Sequence, residues 1–236
     1  MKWYQGKEGD QRIWFEPEEI EQIAEDELRK AKQYPSATSP VLDIERFLEG
    51  HLKASLDQFA DLEPDVLGLT RFHKGRPPAV SINRDLTEAA DTEAKPGVVG
   101  RWRATLAHES AHILLHRMLF ELNGNGQSKT SAGTSSGSHD AIMQCLKRDV
   151  VPGGRSSDWR EVQANRGMAA LLMPQRIFSK VAQAKIDETN LTELTPASQS
   201  SRILAQQLAD HFSVSKQAAS IRLETLSLIS SSAFGV

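Results

Sequence analysis

The stretch from Arg101 to Leu122 holds neither proline nor glycine, and through it runs His108-Glu109-Ser110-Ala111-His112. An uninterrupted run of this kind, with that motif inside it, reads as one helix from Arg101 to Phe120. At 3.6 residues per turn, positions four apart share a face. His108 and His112 can therefore grip one cation while Glu109 stands on the neighbouring flank. Leu106, Ile113, Leu114, Leu115 and Leu119 make the segment apolar enough to be buried. Imidazoles inside such a helix need partners, and a metal ion supplies them.

HExxH is the pattern of zinc-dependent peptidases. It offers neutral nitrogen ligands, an open coordination position for water, and a carboxylate to take that water's proton. On this reading His108 and His112 are metal ligands and Glu109 is the general base. His116 follows one turn later, but the helical rise carries it roughly 6 Å beyond His112, too far for a site centred on the first pair. The variant with a glycine turn and a third histidine is excluded by Leu115 and Met118. The third ligand must come from elsewhere.

Trp159 to Pro174 reads as a second helix, starting after Ser157-Asp158 and stopped by the proline. Glu161 and Asn165 lie four apart on one of its faces. Glu161 would complete a set of two histidines and one glutamate. Asn165 is suited to orient a metal-bound imidazole through its other nitrogen. Chemistry alone leaves this open, because an acid in a first helical turn is favoured by the helix dipole anyway and other glutamates compete.

The chain has 236 residues, a net charge of −3 and one cysteine, Cys145. That charge gives no general attraction to nucleic acid or to anionic membrane. No apolar run approaches the ~20 residues of a membrane span, and the N-terminus lacks a signal-peptide core. The lone cysteine rules out an internal disulfide and fits a reducing cytoplasm; a small buried hydrophobe is its expected role. A cytoplasmic protein without membrane contact is the expectation.

Elsewhere, residues 1–15 mix Trp3, Tyr4, Trp14 and Phe15 with charges, as an arm packed on the domain would. Pro17 to Gln33 reads as a helix with Ile20, Ile23, Ala24, Leu28 and Ala31 inward. Another is expected with Ser39 as N-cap and Pro40 first, burying Ile44, Phe47, Leu48 and Leu52. Val66 to Phe72 and Ala79 to Leu86 suggest a β-hairpin. Thr87 to Gly100 reads as a polar loop. Residues 123–138 are rich in glycine and serine and read as an insertion after the metal helix. Lys180 to Ser200 reads as a polar connector. Arg202 to Phe212 and Lys216 to Ile229 form a pair of helices broken at Ser213-Val214-Ser215. Leu204, Leu208, Phe212, Val214, Ala218, Ile221 and Leu226 are their candidate core. Direct DNA binding by this pair has only Lys216, Gln217 and Arg222 in its favour, with Glu224 opposing. His139 and His211 have no spacing that assigns them a role.

HExxH followed by Leu-Leu-His116, then Glu161-Val-Gln-Ala-Asn165 and Ala-Leu-Leu-Met-Pro174, resembles the ImmA/IrrE family of bacterial metallopeptidases. The likeness covers about residues 40–175, and related proteins often carry a helical unit like the tail. Three positions depart from the pattern. The separation between His112 and Glu161 is long, Ala111 stands where glycine is common, and Gly167-Met168 replaces an aromatic-alanine pair.

The resemblance implies that Glu161 completes the site. It implies a mostly helical α+β fold: a zincin-like core with a small antiparallel sheet over residues 1–180, a connector at 181–200, and a helix-turn-helix-like tail at 201–236. It further implies a Zn2+ centre, with Mn2+ able to substitute, and a protein substrate, a helix-turn-helix repressor. The competing expectations are a DNA-binding regulator, or a protein that sequesters its repressor, with a structural or vestigial metal site.

Overall fold

The computed structural model describes residues 2–5, 11–73, 75–93, 95–122, 141–146, 158–189, 191 and 193–229. The expected insertion at 123–138 and His139 lie outside them. The fold is α+β and mostly helical.

Strands β1 (Lys2–Gln5) and β2 (Gln11–Trp14) pair antiparallel, with Trp3 opposite Ile13. This is the expected arm, and Ile13 and Phe15 anchor it in a small apolar cluster with Ile20, Leu115 and Leu119. Helix α1 (Pro17–Lys30) begins with proline in its first turn, and the Glu19 side chain accepts from the Glu16 amide at 2.9 Å. That reach-back satisfies a main-chain donor the helix leaves unpaired. Its buried face is Ile20, Ala24, Glu25 and Leu28.

The second helix differs from expectation. Asp43 is the cap, accepting from Arg46 N at 3.0 Å, and α2 (Ile44–Arg46) runs into a π-helical turn, Phe47–His51. Ser39 instead donates its own amide to Ser36 Oγ at 3.0 Å, in a turn. The apolar assignment holds, since Ile44, Phe47, Leu48 and Leu52 are all buried.

Strands β3 (Ser55–Ala60), β4 (Val66–Phe72), β5 (Ala79–Asn83) and β6 (Ala141–Leu146) form one sheet in the order β3-β5-β4-β6. The β4–β5 hairpin is present as expected. The sheet is nonetheless mixed, because β3 joins β5 in parallel. Residues read as a loop before the metal helix are largely helical: α3 (Arg84–Glu93), then α4 (Pro96–Leu122), which starts five residues ahead of Arg101. Its proline fits a first helical position, where no amide hydrogen bond is lost.

Helix α5 (Trp159–Leu172) is capped by Asp158 and packs along α4. Helix α6 (Gln175–Thr189) occupies much of the expected polar connector and buries Phe178, Val181 and Ala182. Helices α7 (Gln199–Phe212) and α8 (Lys216–Thr225) flank a left-handed residue at Ser213, with Ser215 capping the second helix. The buried face of α8 is Ala219, Arg222 and Leu223, one position round from the expected Ala218 and Ile221.

Two buried arginines fasten this tail. Arg103 of α4 donates to the carbonyls of Ser213 and Leu42 at 3.1 and 2.9 Å. Arg222 pairs with Glu21 of α1 at 2.5 and 2.8 Å and donates to the Met173 carbonyl at the end of α5. One apolar cluster runs from Ala24 to Ile229, joining the tail to the residues beneath α4.

Candidate metal centre

Helix α4 passes under the sheet with its histidines wholly buried. His108 Nε2 lies 3.0 Å from His112 Nε2, and Glu161 reaches across from α5. Glu161 Oε2 is 3.0 Å from His108 Nε2, and Oε1 is 3.4 Å from His112 Nε2. One ligand atom from each of the three residues lies within 4.8 Å of the other two. The chain thus has a buried His-His-Glu group within metal-binding distance, and two imidazole nitrogens with one carboxylate oxygen suit a divalent cation. His116 is outside that group; its Nδ1 sits 3.0 Å from His112 Nδ1.

Each ring's second nitrogen is also engaged. His108 Nδ1 lies 3.2 Å from Asn165 Oδ1, so the hydrogen on Nδ1 points to the amide and Nε2 is left bare for a ligand. The structure therefore brings together His108, Glu109, His112, Glu161 and Asn165.

Sequence reading placed β4 but missed what it brings to the site. Thr70 donates to Glu109 Oε2 at 2.5 Å, while Oε1 is buried without a hydrogen-bond partner among the described residues. Gly68, on the same face of the strand, leaves room for that oxygen: a Cβ there would meet it at 2.7 Å. The signal was available, since an interior strand glycine marks close approach by something else. Here the approaching group is the carboxylate of the HExxH glutamate. A partnerless carboxylate oxygen beside three converging ligand atoms fits a site for a cation and a polar reactant.

The electrostatics follow from burial. Burial raises the Glu109 carboxyl from 4.5 to about 7, against the opposing pull of His108 and the Thr70 hydroxyl. Burial also pushes Glu161 upward, but His112 and His108 overcome it and hold the carboxyl far below its ordinary value. His112 and His116 are both lowered, chiefly by burial. For His108, burial lowers the value, yet contacts with Cys145 and Glu161 outweigh it and raise it well above normal. Burial raises the Cys145 thiol itself to about 11, so at neutral pH it is uncharged and Glu161 is the anion beside His108. Cys145 is the small buried residue expected, lying in β6 opposite Gly68.

Two departures from the family pattern meet in space. A Cβ on Gly167 would stand 2.7 Å from the Ala111 Cβ. The methyl group on α4 fills the room that glycine leaves on α5. His211, the other histidine considered, meets the Ala37 carbonyl at 3.0 Å.

Residues 153–224 match the peptidase family model described as the IrrE N-terminal-like domain. That match supports the resemblance to the ImmA/IrrE type. No curated protein matches it. The matched span is informative. It includes Glu161 and Asn165 of α5 and continues through α6 and α7 into α8, whereas the HExxH helix lies outside the matched residues. The family is of metallopeptidase type, and no helix among the described residues is long and apolar enough to cross a membrane.

Proposed function

We propose that this chain is a metal-dependent endopeptidase with a zincin-like core, in which His108, His112 and Glu161 hold Zn2+, or Mn2+ where zinc is limiting. The observation that carries the reading is the placement of the Glu109 carboxylate, buried with one oxygen unpaired beside the convergent His-His-Glu group. When bound, the cation acts as a Lewis acid on the scissile carbonyl and makes water more acidic.

The chain's own residues then have distinct tasks. Glu109, with a carboxyl near pH 7, accepts a proton from water and delivers it to the leaving amine. Thr70 holds Oε2 and so leaves Oε1 to face the reactant. Asn165 keeps the His108 ring turned with Nε2 toward the cation. A polypeptide substrate suits the setting: β6 is the outer strand of the sheet among the described residues, next to the site, where an extended segment could add by main-chain hydrogen bonds.

The family resemblance points to a helix-turn-helix repressor as the substrate. A protein partner also fits the net charge of −3 better than DNA does, and Arg222, one of three tail side chains suited to DNA, is buried against Glu21. The test is to incubate the zinc-loaded chain with such a repressor and follow fragmentation by mass spectrometry, with Glu109→Gln beside it. Cleavage by wild type, and none by a variant that still holds one zinc, supports the mechanism. Equal cleavage by both would sink it.

A further inference from the structure

We propose that a buried chain of hydrogen bonds from Ile13 through Gln163 and His116 to His112 selects the nitrogen His112 offers to the cation, making His116 and the N-terminal hairpin positioning elements of the metal centre. The proposal rests on the metal reading above.

The argument starts at the far end. The Ile13 carbonyl can only accept, so the Gln163 atom 3.1 Å from it is the amide nitrogen. The Gln163 oxygen then faces His116 Nε2 at 3.3 Å, and that nitrogen must carry the hydrogen. A neutral imidazole has one N–H, so His116 Nδ1 is bare and accepts from His112 Nδ1 at 3.0 Å. His112 Nε2 is left bare in turn, and it is the atom 3.0 Å from His108 Nε2 and 3.4 Å from Glu161 Oε1. Each link forces the next.

Turning the Gln163 amide over would set two acceptors against each other at Ile13. It would also reverse every later link and aim an N–H of His112 into the ligand cluster. Ile13, Gln163, His112 and His116 are at most 1% exposed, so water cannot replace a missing link. The Trp159 ring stands edge-on to His116, with centroids 5.6 Å apart, and limits rotation of that imidazole. His116, too far along the helix to be a ligand, thereby acts on the metal through His112.

The test compares His116→Asn with His116→Leu in the full-length chain. The two replacements share one branched outline, but the asparagine oxygen falls where Nδ1 stood and accepts from His112, whereas leucine accepts nothing. Zinc affinity is read by competition with a chromophoric chelator, and folding of the metal-free chain by circular dichroism. We expect His116→Leu to lose about 10–100-fold in zinc affinity, with His116→Asn about tenfold or more tighter than the leucine variant. A purely packing role predicts the reverse, since leucine is the better buried residue.

Leucine binding zinc as tightly as asparagine would overturn the proposal while leaving the metal reading intact. Wild type that binds no zinc would overturn both. Should the position-116 variants fail to fold, Gln163→Met keeps the side chain's length without its hydrogen bonds. A loss of zinc affinity there supports the chain of bonds, and wild-type affinity in the folded variant refutes it.

Discussion

Burial at Glu109 has a thermodynamic consequence that can be measured without any substrate. Holding this carboxyl at about 7 instead of 4.5 costs the ionised folded form about 3 kcal/mol, at ~1.4 kcal/mol per pH unit. The sign follows from proton binding. Below pH 4.5 the group is protonated whether the chain is folded or not, and stability is fully present. As pH rises from there, the unfolded chain gives up its proton first and stability falls. Above about pH 7 the folded chain has ionised too, and the loss is complete.

Glu109→Gln keeps the shape and removes the charge. In metal-free protein, urea denaturation should therefore find the variant about 3 kcal/mol more stable than wild type at pH 8, and within ~1 kcal/mol of it at pH 5. The difference reads the Glu109 carboxylate together with its interaction with His108, which the variant also loses. Thr70→Val, which removes the one hydroxyl favouring the ionised form, should leave the onset of the fall unchanged and extend it to higher pH. A wild-type-to-variant difference that does not change between pH 5 and pH 8 would refute the claim that Glu109 is held in a desolvated, poorly paired site.

Three further outcomes are expected. Gly167→Ala places a methyl group against Ala111 and should cost about 1–3 kcal/mol in chemical denaturation; adding Ala111→Gly should recover part of it, and additive losses would refute the compensation. Arg222→Ala leaves Glu21 facing buried surface and should destabilise by about 3 kcal/mol, with strong non-additivity in a cycle with Glu21→Ala; independent effects would show that the pair does not hold the tail. Asn165→Leu should weaken zinc about 10–100-fold in chelator competition while the metal-free chain stays folded, and unchanged affinity would remove Asn165 from the site.

What the sequence made legible follows the range of the physics involved. The positions of His108, Glu109 and His112 relative to one another are a matter of helical pitch, so the spacing carried them. The tail helices were readable because Ser213 and Ser215 mark their ends locally. Thr70 and Gly68 were not, because a strand some forty residues upstream meets Glu109 only through the packing of sheet on helix. Nothing in the sequence singles out Gln163, because the carbonyl it meets lies 150 positions away. The phase of α8 was misread because Arg222 is charged and was therefore placed outward, whereas its partner Glu21 lies two hundred residues earlier. α3 was missed because Arg84–Glu93 is largely polar, with only Leu86, Thr87 and Ala90 inward.

Three side chains of α4 at the candidate site are each held by a different element: Glu109 by Thr70 on β4, His108 by Asn165 on α5, and His112 through His116 and Gln163 by Ile13 on β2. Helical spacing alone supplies proximity, but rotamer and tautomer come from distant segments that meet only in the folded chain. An unfolded chain would offer a cation a much poorer site, so metal binding is linked to folding. Zinc at a hundred times its dissociation constant would add about 2.7 kcal/mol. That is close to the ~3 kcal/mol cost of ionised Glu109. The cation's positive charge beside Glu109 also favours ionisation directly. The loaded chain can then carry an ionised, under-solvated carboxylate at neutral pH that the metal-free chain carries only at the expense of its own stability.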